Sequence, residues 1–164
     1  MKIVEIHKHP DLFKNAVQVF WKQWGNASNY PFYHDCMLHS GTAADGIPRF
    51  YAAVENERII GTYALIRNDL NSRQDLYPWL ACVYVDEEYR GRRLGSQLLD
   101  HAIGEAAGLG FEKLYLTTDL EGYYEKYGWT HSGEVYGAFG SSMKLYRSLT
   151  GSKTPTSERG RMNG

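Results

Sequence analysis

Thiols are scarce in this chain: Cys36 and Cys82 are its two cysteines in 164 residues. No C-x-x-C pair and no Cys/His ligand spacing occurs, which excludes a disulfide scaffold and the common zinc modules. Cys82 falls in an apolar stretch and is expected as a buried free thiol of the core. An apolar run near the roughly 18 residues of a membrane span is also missing, so no membrane partner is expected. The opening MKIVEIHKHPDLFK has no apolar signal segment, and the expectation is a reduced, cytoplasmic protein. Charge of one sign is lacking: Lys+Arg 18 against Asp+Glu 19 leaves −1, which gives no electrostatic case for a nucleic-acid partner. Neither G-x-x-x-x-G-K-[ST] nor G-x-G-x-x-G is present, which removes the P-loop and the dinucleotide fingerprint.

The chain does have a core and many rings. Its length suits one domain, expected over residues 1–149, and 43% hydrophobic content suffices to fill it. With 13 Tyr and 4 Trp, some tyrosines are expected to line a cleft. Residues 150–164 read as a polar, flexible tail, since GSKTPTSERGRMNG holds one apolar side chain.

Periodicity orders the rest. Ile3, Val4 and Ile6 mark a first strand. Pro10-Asp11 opens a helix whose stripe runs Leu12, Phe13, Ala16, Val17, Phe20, Trp24. Tyr33 to His39 suits a second, short helix, and Gly41 to Pro48 a loop. Phe50 to Val54 and Ile59 to Ile66 pair as a hairpin around Asn56-Glu57. Arg67 to Asp75 is polar loop, and Trp79 to Val85 a strand. Leu94, Leu98, Leu99, Ala102, Ala106 and Leu109 share one helical stripe, closed near Gly108 or Gly110. Leu114 to Thr117 follows as a strand parallel to Trp79–Val85. Leu120 to Tyr127 suits a short helix, and two strands near 129–136 and 143–149 complete the order.

One stretch carries chemistry: Val83-Tyr84-Val85, then Asp86-Glu87-Glu88-Tyr89, then Arg90-Gly91-Arg92-Arg93-Leu94-Gly95-Ser96. A strand end, a basic Gly-containing turn and a helix start follow one another. Helix N-termini expose unpaired N–H groups and the positive end of the macrodipole. Glycine lets the backbone approach a ligand closely. Three arginines in that turn suit a phosphate or pyrophosphate. They also fit a solvated basic helix cap.

The turn resembles the acetyl-CoA turn of GNAT-family N-acetyltransferases, [RQ]-x-x-G-x-[GA], matched here by Arg90-Gly91-Arg92-Arg93-Leu94-Gly95. Arg93 stands where the family usually has its first glycine. A second segment, Tyr123-Tyr124-Glu125-Lys126-Tyr127-Gly128-Trp129, resembles the family's x-F-Y-x-x-x-G-[FW] motif, with Tyr124 at the tyrosine position. The element order is that of the family, over nearly all of residues 1–149. The resemblance implies an α/β (α+β) GNAT-like fold: a mixed central sheet of about six to seven strands flanked by about four helices. It implies acetyl-CoA as co-substrate, no metal, and cofactor contacts from Val83, Tyr84, Val85, Arg90, Gly91, Arg92, Arg93, Leu94, Gly95 and Ser96. Backbone N–H near Val83 would polarise the acetyl carbonyl. It makes Tyr124 the catalytic residue, near the thioester sulfur; by pattern alone, Tyr123, Tyr124 and Tyr127 also suit packed aromatics.

An unperturbed tyrosine near pKa 10 and a thiol near 8.5 make full proton transfer uphill by roughly 2 kcal/mol. Tyr124 is therefore expected to donate a hydrogen bond to the departing sulfur, with transfer late. The acceptor amine must be neutral to attack. At pH 7 an ε-amine is about 0.04% neutral and an α-amine about 10%, a difference of roughly 3 kcal/mol in barrier. The strand Trp79–Val85 carries no carboxylate to act as base. His34, Asp35, His39, Asp69 and Asp75 remain as candidates, though each reads first as a surface residue of a polar loop, and a water chain or a backbone carbonyl could serve instead.

The segments Tyr30–His39 and Arg67–Trp79 are where acceptor contacts are expected. Their aromatics and mixed charge suggest a small-molecule amine or a peptide N-terminus, attacking directly in a ternary complex. A non-catalytic CoA-binding module on the same fold is the alternative, and a phosphate-binding or protein-interaction domain a third. A monomer or homodimer is expected.

Overall fold

In the computed structural model, residues 1–152 are described. In chain order the elements are β1 (Lys2–Glu5), α1 (Phe13–Trp24), α2 (Tyr30–Leu38), β2 (Arg49–Glu55), β3 (Arg58–Ile66), β4 (Trp79–Val85), α3 (Leu94–Gly108), β5 (Lys113–Thr118), β6 (Thr130–Tyr136) and β7 (Ser142–Leu149). The strands form a mixed seven-stranded sheet in the order β1-β2-β3-β4-β5-β7-β6. The chain divides into two compact units. One holds Met1–Leu65 and Ala81–His101; the other begins with Ile66–Leu80 and resumes at Ala102.

In the first unit, Asn56 and Glu57 turn the β2–β3 hairpin with φ of 51° and 63°. Those signs match the right-handed twist of the flanking strands. The register then shifts at Ala53/Val54, opposite Gly61 and Ile59, so the hairpin carries a bulge. Ala16, Val17 and Phe20 of α1 are fully buried, with Phe20 edge-on to Phe50 at 5.4 Å between ring centroids. Leu94, Leu98 and Leu99 bury the expected α3 stripe. Each such leucine contributes about 1.5–3 kcal/mol. Tyr51 and Tyr63 stack at 4.3 Å, and the Tyr63 hydroxyl lies 2.7 Å from His101 Nδ1.

Gly61 fits this layer because it lacks a side chain. A Cβ there would stand 2.9 Å from the Tyr84 carbonyl oxygen and 3.3 Å from both Leu94 and Leu98. A backbone oxygen cannot yield as a side chain can. Gly61→Ala is expected to lower stability by about 1–3 kcal/mol, read from the urea midpoint; an unchanged midpoint would contradict the close packing.

In the second unit, β4 and β5 pair in parallel at Trp79↔Tyr115, as the crossover required. β5 and β6 each pair antiparallel with β7. Trp79, Tyr115, Val135 and Leu145 form the core there, and the Trp79 indole N–H donates to the Leu76 carbonyl at 2.6 Å. α3 ends in a Schellman cap. Phe111 N–H bonds Ala106 O, Gly110 N–H bonds Ala107 O, both at 3.0 Å, and Gly110 takes φ +94°.

Three expectations need correction. The described residues hold three α-helices rather than about four. The helix expected over 120–127 is a single 3-10 turn, Tyr124–Tyr127, closed by the expected Gly128, because Gly122 takes φ +74° inside the span. An α-helix cannot run through a residue at that φ. Cys82 forms no disulfide among the described residues but is only half-buried, with φ +55° inside β4, so it is not a core residue. Thr150, just past the expected boundary, donates its N–H to Glu112 O at 3.0 Å and its hydroxyl to Phe111 O. From residue 153 on, the expected tail lies outside the described residues.

Candidate active site

β4 changes character along its length. Trp79, Leu80 and Ala81 are buried, whereas Cys82, Val83, Tyr84 and Val85 are half-buried. The left-handed Cys82 breaks the pleat at this transition. The Cys82 carbonyl accepts from the Thr62 hydroxyl at 2.9 Å, and Asp86 N–H donates to Ile60 O at 2.8 Å. The strand end is thus anchored on β3 while its side chains keep partial exposure.

The turn that follows is built to leave its arginines open. Asp86 caps a short 3-10 helix, Glu87–Tyr89, accepting from Glu88 N–H at 3.0 Å. Arg58 then holds the acids: its guanidinium reaches Asp86 at 2.7 Å and Glu88 at 3.0 Å. Those contacts and charges push the Arg58 pKa up, the Glu88 hydrogen bond most. Tyr89 is held by Glu55, whose hydrogen bond raises the phenol pKa, and Arg92 lies 5.1 Å over the Tyr89 ring. Two of the three acids before the turn are therefore paired with Arg58 and not with the turn's own arginines.

Arg90, Gly91, Arg92 and Arg93 are exposed. Gly91 takes φ +81° and Arg93 φ +62°. Arg93 holds the left-handed conformation where the resembled motif has glycine, so the turn keeps the shape at a strain of about 1 kcal/mol. The first α-helical bond of α3 is Gln97 N–H to Arg93 O at 3.1 Å, which leaves the N–H groups of Leu94, Gly95 and Ser96 ahead of the ladder. Ser96 Oγ donates back to Arg93 O at 2.9 Å. Free amides, a helix N-terminus and exposed guanidinium groups fit a pyrophosphate. Arg93→Gly is expected to raise stability by about 1 kcal/mol in urea unfolding; a loss would show that Arg93 contributes more than it strains.

Val83, Tyr84, Val85 and residues 90–96 are thus brought together as one strand, turn and helix start in the first unit. Tyr124 belongs to the second. It opens the 3-10 turn, edge-on to Tyr123 at 4.9 Å and beside Tyr146 at 5.9 Å. Trp129 N–H to Tyr124 O, at 3.2 Å, closes the turn, and the Tyr146 hydroxyl donates to Glu125 at 2.8 Å. Burial first, and Tyr123 second, raise the Tyr124 pKa. Its hydroxyl has no hydrogen-bond partner among the described residues.

The candidate bases separate. Asp35 pairs with His39 at 3.4 Å on an exposed helix face. His34 packs edge-on against Phe13. Asp75 is bound at both oxygens by Arg73, whose hydrogen bond lowers its pKa. Asp69 is half-buried, and burial raises its pKa. Burial, then Asp35, raises the Cys36 thiol, which disfavours a thiolate nucleophile. Sequence reasoning missed Arg58. It stands 28 and 30 positions from the acids it binds, and no local pattern reports such a pair. Among the described residues no group of three or more His, Cys, Asp or Glu is placed to hold a metal ion, and no helix is long and apolar enough to cross a membrane.

The model of the acetyltransferase (GNAT) family matches residues 13–129, a span that includes the strand, the turn and Tyr124. The chain belongs to that family, and by class it is an N-acetyltransferase. Among solved structures it is similar to an aminoglycoside 6′-N-acetyltransferase complexed with coenzyme A, with TM-score 0.69 and 17% identity over 93% of this chain and 99% of that one. It is similar to the aminoglycoside 6′-N-acetyltransferase from Enterococcus faecium, with TM-score 0.66 and 17% identity over 93% and 99%. A GNAT family acetyltransferase from Elizabethkingia anophelis with acetyl-CoA bound gives TM-score 0.51 and 22% identity over 62% and 76%. At such identities the likeness is one of fold. No curated protein matches the chain by sequence.

Proposed function

We propose that this protein transfers the acetyl group of acetyl-CoA to a primary amine by direct attack in a ternary complex. The observation that carries the proposal is the Val83–Ser96 segment. Its left-handed Gly91 and Arg93, its free helix-start amides and its exposed arginines suit the pyrophosphate of the co-substrate. Backbone groups of Val83–Val85 would bond the pantetheine arm as an added strand does, with N–H near Val83 polarising the acetyl carbonyl. Tyr124 would donate to the sulfur as the C–S bond breaks. Its raised pKa favours a hydrogen bond over early proton transfer.

The acceptor is a small-molecule amine or a peptide N-terminus, and the working compartment the cytoplasm. Aminoglycosides belong among the amines tested, since structures of similar fold carry that activity by name. No cysteine is used covalently: Cys36 is a raised thiol on an α2 position with no base bonded to it.

The test is release of CoA thiol with kanamycin, spermidine and Ala-Ala as acceptors. Turnover with intersecting reciprocal plots is expected. Parallel plots, the mark of a covalent intermediate, would contradict direct attack. Acetyl-CoA binding with no turnover of any amine would favour a non-catalytic CoA-binding module.

A further inference from the structure

The turn after β4 carries its own competitor. Between Asp86 and Arg93, the acids Asp86, Glu87 and Glu88 stand against Arg90, Arg92 and Arg93, so the segment by itself is formally neutral. A neutral segment gives a pyrophosphate no net attraction. Arginine also offers a carboxylate the same pair of N–H bonds that it offers a phosphate. Acids a few positions away in the chain can therefore occupy the guanidinium groups that an anionic ligand needs.

The fold keeps the two apart. Among the described residues, none of the three arginines pairs with a carboxylate. Arg90 Nε donates to the Val85 carbonyl at 3.3 Å, and Arg92 lies over the Tyr89 ring. The acids turn instead to a cation from outside the segment. Arg58, the first residue of β3, donates through Nη2 to Asp86 Oδ2 at 2.7 Å and through Nη1 to Glu88 Oε2 at 3.0 Å. The backbone brings both acids onto that one guanidinium. Asp86 N–H donates to Ile60 O at 2.8 Å, which holds Asp86 beside β3. Asp86 Oδ1 accepts from Glu88 N–H at 3.0 Å, which sets the second acid next to the first. The Asp86 side chain is only 16% exposed, so its pair with Arg58 is less screened than an ordinary surface pair.

The competing charges share close quarters. Burial first and Asp86 second raise the Tyr84 pKa, while Arg90 and Arg58 both lower it. At Tyr89, whose pKa the Glu55 hydrogen bond raises most, Arg58 and Arg92 both act in the lowering direction. Arg58 and the turn's own arginines thus face the same side chains as the acids do. Arg58, Asp86 and Tyr84 also line one cavity with Lys22 of α1, so Arg58 stands against the end of the strand that would bond the pantetheine arm.

We propose that Arg58 is a positioning residue for acetyl-CoA: by holding Asp86 and Glu88, it keeps Arg90, Arg92 and Arg93 available to the pyrophosphate. The assignment rests on the acetyltransferase reading above. Without Arg58, both acids lose their partner beside Arg90 and Arg92. The arginines then turn to the acids, and the ligand must displace those pairs before it can bind.

Calorimetric titration with acetyl-CoA tests this on wild type, on Arg58→Gln, on Asp86→Asn/Glu88→Gln, and on all three changes combined. Asparagine caps a helix start as aspartate does, so the turn keeps its shape. Arg58→Gln is expected to bind about tenfold more weakly, close to the loss of one charge-assisted contact. Removing the acids should change binding by less than about threefold while Arg58 is present, and should restore about tenfold when Arg58 is gone. A fold defect left by Arg58→Gln would not be mended by taking away two further side chains. Binding by Arg58→Gln within about threefold of wild type would show an ordinary surface ion pair and overturn the assignment. An equal gain from removing the acids in both backgrounds would show net charge acting without pairing, and would overturn it too.

If wild type binds neither acetyl-CoA nor CoA, the acetyltransferase reading has failed. The same series is then titrated with inorganic pyrophosphate. Binding that Arg58→Gln weakens and loss of the acids restores supports the positioning role. Equal binding by wild type and Arg58→Gln, or no binding by wild type, overturns it.

Discussion

Arg92→Ala/Arg93→Ala binds acetyl-CoA at least about 10²-fold more weakly than wild type in calorimetric titration, while its fold persists. The size follows from what the two side chains can offer. A hydrogen bond to a charged group contributes about 1.5–3 kcal/mol, so two lost guanidinium contacts remove about 3–6 kcal/mol. Both side chains are exposed, so removing them opens no cavity. Alanine at 93 does not relieve the left-handed φ of +62°, which keeps backbone relaxation out of the comparison. The loss should be smaller at high salt, where screening already weakens the contacts. A double variant binding within about threefold of wild type would leave the pyrophosphate to the backbone amides alone.

Tyr124→Phe lowers kcat by about 10²–10³-fold and leaves acetyl-CoA binding intact. That is the usual cost of deleting one donor aimed at developing negative charge. Phenylalanine keeps the ring contacts with Tyr123 and Tyr146, so the 3-10 turn should survive. The pH dependence has a definite sign. Tyr124 donates only while protonated, and burial raises its pKa from the ordinary value of about 10. The donor is therefore fully present at neutral pH and is lost only as pH rises through that raised value. Wild-type kcat should show no falling limb below about pH 9 that disappears in Tyr124→Phe. A variant retaining a third or more of wild-type kcat, about the noise of a neutral change, would remove Tyr124 from the chemistry.

Local features were readable from sequence because they are set by neighbours a few residues apart. The α3 stripe, the Asn56-Glu57 hairpin and β4 with its exact span all follow from period and turn chemistry. So did the basic turn at the start of α3, whose arginines sit beside its glycine in the chain. What escaped the sequence depends on residues that meet only after folding. Arg58 pairing with Asp86 and Glu88 joins a hairpin to a turn across 28 and 30 positions. The break at Cys82 replaces a regular strand with a left-handed residue, and apolar neighbours gave no sign of it. The β3–β4 loop read as a plain polar loop, and its bridge from Asn71 to Gly137 forms only after folding. The helix expected over 120–127 failed for a local reason that was visible: Gly122 stands inside it, just before the 3-10 turn.

The central claim is that the turn after β4 holds the pyrophosphate of acetyl-CoA. Thermal unfolding of the wild-type chain with acetyl-CoA, CoA and ATP tests it most directly. A ligand at 100 times its Kd stabilises by about 2.7 kcal/mol, a shift of several degrees for a chain of this size. The account predicts such a shift with acetyl-CoA and with CoA, and a clearly smaller one with ATP, which lacks the pantetheine arm that β4 would bond. No shift with either CoA species, or an equal shift with ATP, would contradict it.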